Sequence, residues 1–218
     1  MEKSVLFPAA LLFLLGLLYF ERKSATKGIL LTKPAVSLLF VATALVQHPL
    51  RSSYFFAVLI ALILSLIGDV CLIFMDSRKM FMAGLLSFLL GHVAYVAAFF
   101  PFVRIGAVTW TALCIFSAVG TIVFRWLRPN LGTMKIPVAA YILIITTMVV
   151  CAVSLMGNTG LSTIGRYLVL VGALSFYASD IFVARNQFVS DAYINRLIGL
   201  PLYYFAQFLL AVSTAHIG

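Results

Sequence analysis

Six residues of the chain are acidic, and two of them, Asp69 and Asp180, stand inside long apolar runs. Asp69 belongs to SYFFAVLIALILSLIGDVCLIFM and Asp180 to YLVLVGALSFYASDIFVARNQF, where the first basic residue after the acid is Arg185. The other acids, Glu2, Glu21, Asp76 and Asp191, fall at run ends or in connections. A charged aspartate at mid-membrane costs on the order of 2.5–3.5 kcal/mol on insertion scales, so two such residues at matching positions point to chemistry or transport rather than to helix packing alone. His92 is the one histidine within an apolar run, since His48 and His216 sit at ends. Two carboxyl groups and an imidazole are the equipment of general acid–base catalysis.

What must position these groups is a membrane bundle. Of the 218 residues, 64% are hydrophobic and only 10% charged, against roughly 45–50% and about a quarter in soluble domains. Eight spans are predicted: Val5–Phe20, Ile29–Val46, Tyr54–Met75, Met80–Phe102, Ile105–Phe124, Ile136–Met156, Tyr167–Ala184 and Leu197–Ile217. Each approaches the ~20 residues that carry a helix across hydrocarbon, and none alternates like a barrel strand. The fold expected is an all-α polytopic bundle of eight transmembrane helices forming one domain over 1–218. The first span reads as a retained helix, because its basic cluster Arg22, Lys23 and Lys27 follows it rather than precedes it. Pro8, Pro34, Pro137 and Pro201 are expected in first turns, Pro101 at a span end, and Pro49 and Pro129 in connections, with no helix middle interrupted.

The net charge of +9 is distributed by face and does not point to nucleic acid. Arg22, Lys23, Lys27, Lys33, Arg78, Lys79, Arg125, Arg128, Lys135, Arg185 and Arg196 flank the odd-numbered connections, eleven in all, against Lys3, Arg51, Arg104 and Arg166 on the other side. This bias places the odd connections in the cytoplasm, in the inner membrane if the source is bacterial. Cys71, Cys114 and Cys151 show no C-x-x-C spacing, and one intramembrane histidine is too few for a zinc hydrolase. Neither a metal nor another cofactor is expected.

Both acids lie toward the basic ends of spans that run in the same direction. At 1.5 Å per residue Asp69 is ~10 Å inside Asp76, and Asp180 ~7–8 Å inside Arg185. Gly68 and Ser179 precede them and let neighbouring helices approach. In span 4, Gly84, Phe88, Gly91, His92 and Tyr95 share a face, but His92 is ~20 Å from the Lys79 boundary and deeper than either acid. In span 8, Leu200, Tyr204, Gln207 and Ala211 share a face with Tyr203 beside it. Tyrosines near a helix start are often interfacial anchors, and Lys33 in span 2 either snorkels or holds an anionic headgroup. The separation from Asp69 to His92 equals that from Asp180 to Tyr203, 23 residues each by their numbers, which suggests a 4+4 parallel repeat.

Taken together, Gly68-Asp69, then Phe88, Gly91-His92 and Tyr95, then Gly172-Ala173, Phe176 and Ser179-Asp180, then Tyr203-Tyr204 and Gln207, resemble the lysoplasmalogenase family of YhhN-like membrane proteins. Lys33 in TKP resembles the basic residue of that family's second helix. The resemblance implies hydrolysis of the vinyl ether bond of lysoplasmalogens to a fatty aldehyde and a glycerophospho-base. Asp69, Asp180 and His92 would then be catalytic, with Lys33, Phe88, Tyr95, Phe176, Ser179, Tyr203, Tyr204 and Gln207 around a lysophospholipid drawn from the membrane. The chemistry needs a positioned acid, a carboxylate facing an oxocarbenium ion, and a base for water, much as glycosidases divide work between two carboxyls. A proton-coupled transporter of small amphiphiles or a lipid-binding scaffold are the readings from other classes, because intramembrane acids and repeats serve transporters too.

Overall fold

The computed structural model describes residues 3–47 and 52–217. Glu2, His48, Pro49 and Arg51 lie outside the described residues. The described residues form eight α-helices: α1 (Lys3–Arg22), α2 (Thr26–Val46), α3 (Ser53–Leu72), α4 (Arg78–Phe99), α5 (Ala107–Leu127), α6 (Lys135–Ser154), α7 (Thr163–Phe188) and α8 (Tyr193–Ser213). No strand occurs among the described residues. The helices α2 to α8 are long and apolar enough to cross a membrane. The molecule is a multi-pass integral membrane protein, as the composition requires.

The helices start and stop where local chemistry says they should. Ser52 accepts a hydrogen bond from the Phe55 amide at 3.2 Å and Ser162 one from the Gly165 amide at 3.4 Å, capping α3 and α7. Hydroxyl caps of this kind satisfy amides that have no partner within the helix. Arg128-Pro129-Asn130 breaks the chain between α5 and α6.

Neighbouring helices close a ring in the order α2, α3, α4, α6, α7, α8 and back to α2. Outside it, α1 lies against α2 and α8, and α5 against α6 and α7. Large apolar side chains such as Leu12, Leu31, Ile122 and Leu143 point outward, which is favourable only against lipid. The ring interior is aromatic and polar by comparison, with Tyr54, Tyr95, Tyr204, Phe40, Phe99 and Phe176 fully enclosed.

One expectation is corrected. Pro34 and Pro201 lie inside α2 and α8, and Pro8 inside α1, rather than in first turns. The helices begin before the hydrophobic runs do: α2 takes in Thr26-Lys27-Gly28 and α8 takes in Tyr193 to Arg196. Pro34 and Pro201 are therefore each about two turns in, where they deny the carbonyls of Leu30 and Leu197 their amide partners. Membrane helices accept this because neighbouring groups compensate. Tyr203 and Tyr204, for which interfacial anchoring and a place at the site were both open, are buried in the ring interior.

The α3–α4 pair packs closely because Gly91 faces α3. A Cβ there would stand 3.3 Å from the Ala61 carbonyl oxygen, a backbone atom with little freedom to yield. Gly91→Leu is expected to destabilise the bundle by about 1–3 kcal/mol, the usual range for overpacking. Thermal unfolding in detergent, compared with the milder Gly91→Ala, measures it.

Candidate active site

Asp69 on α3 is 2% exposed and is held by three groups from two other helices. Its Oδ2 accepts hydrogen bonds from Ser37 Oγ of α2 and from the Tyr203 hydroxyl of α8, each at 2.7 Å. Lys33 Nζ, one turn before Ser37, lies 3.9 Å from Oδ1. Lys33 does not snorkel: it is only 7% exposed and turns its ammonium inward. Behind it, Tyr204 donates to the Lys33 carbonyl at 3.3 Å. Ser37 also approaches that carbonyl at 3.0 Å, yet it has one proton, and the shorter contact runs to the carboxylate.

Asp180 on α7 has a different environment. Its Oδ2 accepts from the Tyr141 hydroxyl of α6 at 2.7 Å, and His92 Nε2 of α4 stands 3.8 Å away. No lysine or arginine lies within ion-pair range of it among the described residues. The side chain is 17% exposed.

The tautomer of His92 follows from its other nitrogen. Nδ1 lies 2.7 Å from the Phe88 carbonyl, and a carbonyl only accepts, so Nδ1 carries the hydrogen. In the neutral ring Nε2 is therefore a lone pair aimed at Asp180. It is buried without a hydrogen-bond partner, and 3.8 Å is too long for a direct bond. The ring is fixed edge-on against Phe176 and Tyr141, with centroids 4.6 and 5.2 Å away. The offset in depth expected between His92 and the acids is absorbed partly by α7, which continues past Arg185 to Phe188. Asp180 thus sits about two turns from its helix end.

Asp69, Asp180, Lys33, Phe88, Tyr141 and Tyr203 all line one cavity of about 210 Å³. Its remaining wall is largely aliphatic and aromatic, including Ile29, Leu72, Leu85, Ile145 and Ile181. Gly68 makes room for one wall: a Cβ there would fall 2.6 Å from the Phe88 ring. His92, Tyr95, Phe176, Ser179, Tyr204 and Gln207 do not line the cavity but stand behind it. Tyr95 donates to Gln207 Oε1 at 2.6 Å, Ser179 bonds back to the Phe176 carbonyl at 2.8 Å, and Phe176 packs on Phe88, His92 and Tyr203. Among the described residues no three of His, Cys, Asp and Glu gather as a metal-holding group.

Ser37 and Tyr141 are the contacts that sequence reasoning missed. Ser37 follows Lys33 by one helical turn and so shares its face. Tyr141 is the single tyrosine of α6, a weaker signal amid apolar neighbours.

Fold and site together define a class: a multi-pass helical membrane protein with an internal apolar cavity onto which two carboxyl groups from different helices open. The chain belongs to the YhhN family, whose pattern it matches over residues 28–214. It is 31% identical over 172 residues to a lysoplasmalogenase of Mycobacterium tuberculosis, covering 75% of this chain and 60% of that protein. A Bos taurus lysoplasmalogenase is 32% identical over 176 residues, 78% of this chain and 68% of that protein. A Homo sapiens lysoplasmalogenase is 32% identical over 157 residues, 70% and 61% respectively. The chain thus spans about three fifths of the mycobacterial relative's length. No solved structure matches it.

Removing Asp69 would leave the Lys33 ammonium in a nearly closed interior without its counter-charge. Asp69→Leu is expected to cost about 3 kcal/mol, as when one member of a buried pair is deleted. The double change Lys33→Met with Asp69→Leu should recover much of that loss. Chemical unfolding in mild detergent, with equal substrate-free protein, compares the two.

Proposed function

We propose that the protein is a membrane-embedded hydrolase that cleaves the vinyl ether bond of lysoplasmalogens, releasing a fatty aldehyde and a glycerophospho-base. The observation that carries this reading is the opening of Asp69 and Asp180 onto one apolar cavity. The names of the relatives support the substrate class.

The two environments suit two roles. Asp180, with no fixed cation beside it, holds a proton and delivers it to the outer alkene carbon, and the inner carbon becomes an oxocarbenium ion. Asp69, fed by two hydroxyl donors and faced by Lys33, stays ionised and stabilises that positive charge across the cavity. Water then adds to the inner carbon. Its proton passes to the Asp180 carboxylate, which lines the cavity and is restored for the next cycle, with His92 Nε2, 3.8 Å behind it, as a relay for that proton. The hemiacetal loses its hydroxyl proton as the carbon–oxygen bond to glycerol breaks, and the glycerol oxygen takes up a proton. The sum is one water consumed, with both carboxyls restored. Pairing a proton-bearing carboxyl with an ionised one is the division of labour that oxocarbenium chemistry uses elsewhere.

Purified Asp69→Asn and Asp180→Asn proteins are expected to lose at least about a hundredfold in turnover of lysoplasmenylethanolamine, and His92→Gln a similar factor, the low end of what positioned acids and bases contribute. Aldehyde release in detergent is the readout, with ester lysolipid as the control. Near wild-type rates from a folded Asp variant would remove the carboxyl pair from the mechanism. Absence of aldehyde from the wild-type protein, with uptake only in sealed vesicles, would make it a transporter.

A further inference from the structure

The mouth of the cavity is built from the end of α1, the end of α7 and the start of α8, where Glu21, Asn186, Gln187, Asn195 and Arg196 reach the wall. This rim is strapped in place. Tyr193 donates to the Leu18 carbonyl at 3.1 Å, Asn195 Nδ2 to the Ser190 carbonyl at 2.7 Å, and Arg185 to Asn195 Oδ1.

Within this frame two polar groups are left underused. Arg196 directs one N–H to Asp191 Oδ1 at 2.7 Å. Its Nε lies 3.4 Å from Glu21 Oε2, yet that nitrogen is buried with no aligned hydrogen-bond partner. Glu21 is largely enclosed, its side chain 14% exposed, and it accepts no hydrogen bond among the described residues beyond this ion-pair contact. The carboxylate also sits in the last turn of α1, where the helix dipole disfavours negative charge and favours a cation. Helix stability does not explain it there. Lys33, the second cation on the wall, is engaged by Asp69.

A carboxylate and a guanidinium side by side at the cavity mouth, joined only by an unaligned 3.4 Å contact, complement a ligand that carries its own cation close to its own anion. We propose that Glu21 and Arg196 read a phosphoethanolamine headgroup, Glu21 accepting from the primary ammonium and the Arg196 guanidinium donating to the phosphate. The inference rests on the lysolipid-hydrolase reading and adds a headgroup to it. A primary ammonium carries three N–H donors that meet the unsatisfied carboxylate lone pairs. A trimethylammonium has none, so choline leaves the same lone pairs buried and unmet, which is the costly side of a hydrogen-bond mismatch. The rim is therefore a selector for ethanolamine over choline, with the apolar cavity beyond taking the chain.

Binding of intact ester lysolipids tests this without requiring turnover. The wild-type protein in detergent is titrated with lysophosphatidylethanolamine and with lysophosphatidylcholine of the same chain, by native mass spectrometry or calorimetry. The ethanolamine lipid is expected to bind about tenfold more tightly, the low end of a charge-assisted hydrogen bond. Glu21→Gln should bring the ratio of the two affinities close to one. Equal affinities in the wild type overturn the proposal, as does a Glu21→Gln protein that keeps the full ratio or weakens both lipids in equal proportion, since a mere α1–α8 strut would do the latter. Selective binding without aldehyde release from lysoplasmenylethanolamine would sink the hydrolase reading and leave the headgroup assignment standing. Aldehyde release without selectivity would do the reverse.

Discussion

A carboxyl group inside hydrocarbon has to be given partners by the protein, because the solvent offers none. This requirement, applied twice, organises the bundle. Asp69 is served by α2 and α8, and Asp180 by α6 and α4. Those six helices are the ones that close the ring, while α1 and α5, which give neither acid a partner, lie outside it. Association between membrane helices gains little from apolar burial, since lipid is as apolar as leucine. Close packing and interhelical hydrogen bonds decide which helices meet. Here the two acids supply several of the interhelical bonds, and glycines such as Gly68 and Gly91 permit the close approach.

The partners follow a crossed pattern. Each acid takes a hydroxyl from the helix just before it, Ser37 of α2 for Asp69 and Tyr141 of α6 for Asp180. Each also faces a side chain from the helix that follows the other acid, Tyr203 of α8 for Asp69 and His92 of α4 for Asp180. Exchanging the first four helices with the last four maps one set onto the other, which gives the equal 23-residue separations a geometric meaning. The exchange is not perfect, and in the proposed reaction the imperfection is what separates the two roles. Lys33 has no cationic counterpart beside Asp180, and Tyr203 is a hydrogen-bond donor where His92 offers a lone pair. Under the proposed reaction, two similar frames hold one carboxyl as an anion and leave the other free to carry a proton.

Much of this was legible in the chain. The helix count, the membrane setting and the special standing of Asp69, Asp180 and His92 follow from hydrophobic runs and from the cost of a charge within them. Gly68 before Asp69 was readable as a close approach. Other features depend on which helices become neighbours, and a sequence does not state that. Ser37 and Tyr141 look like unremarkable residues of apolar helices until α2 meets α3 and α6 meets α7. Tyr203 and Tyr204 look interfacial because they stand near the start of a hydrophobic run, but α8 begins at Tyr193 and carries them inward. The same early start hides Pro34 and Pro201 within helices. Hydropathy marks where lipid begins and not where hydrogen bonding does.

Pro34 bears directly on the site. It follows Lys33 directly and removes the hydrogen bond to the Leu30 carbonyl, so the turn of α2 that carries the ammonium is the turn whose ladder is interrupted. The Lys33 carbonyl itself is well supplied, with Tyr204 donating to it from α8. A helix weakened on one side of Lys33 and tied to α8 on the other can aim its side chain inward, against the usual tendency of a membrane lysine to reach for water. Under the proposed reaction that inward aim matters, because an ammonium beside Asp69 keeps one carboxyl charged in a cavity otherwise too apolar to hold an ion. The cavity's apolar lining then has two effects at once: it receives the alkenyl chain, and it confines water to the polar strip between Asp69 and Asp180, so that an oxocarbenium ion formed there meets water only where a base stands ready to take its proton.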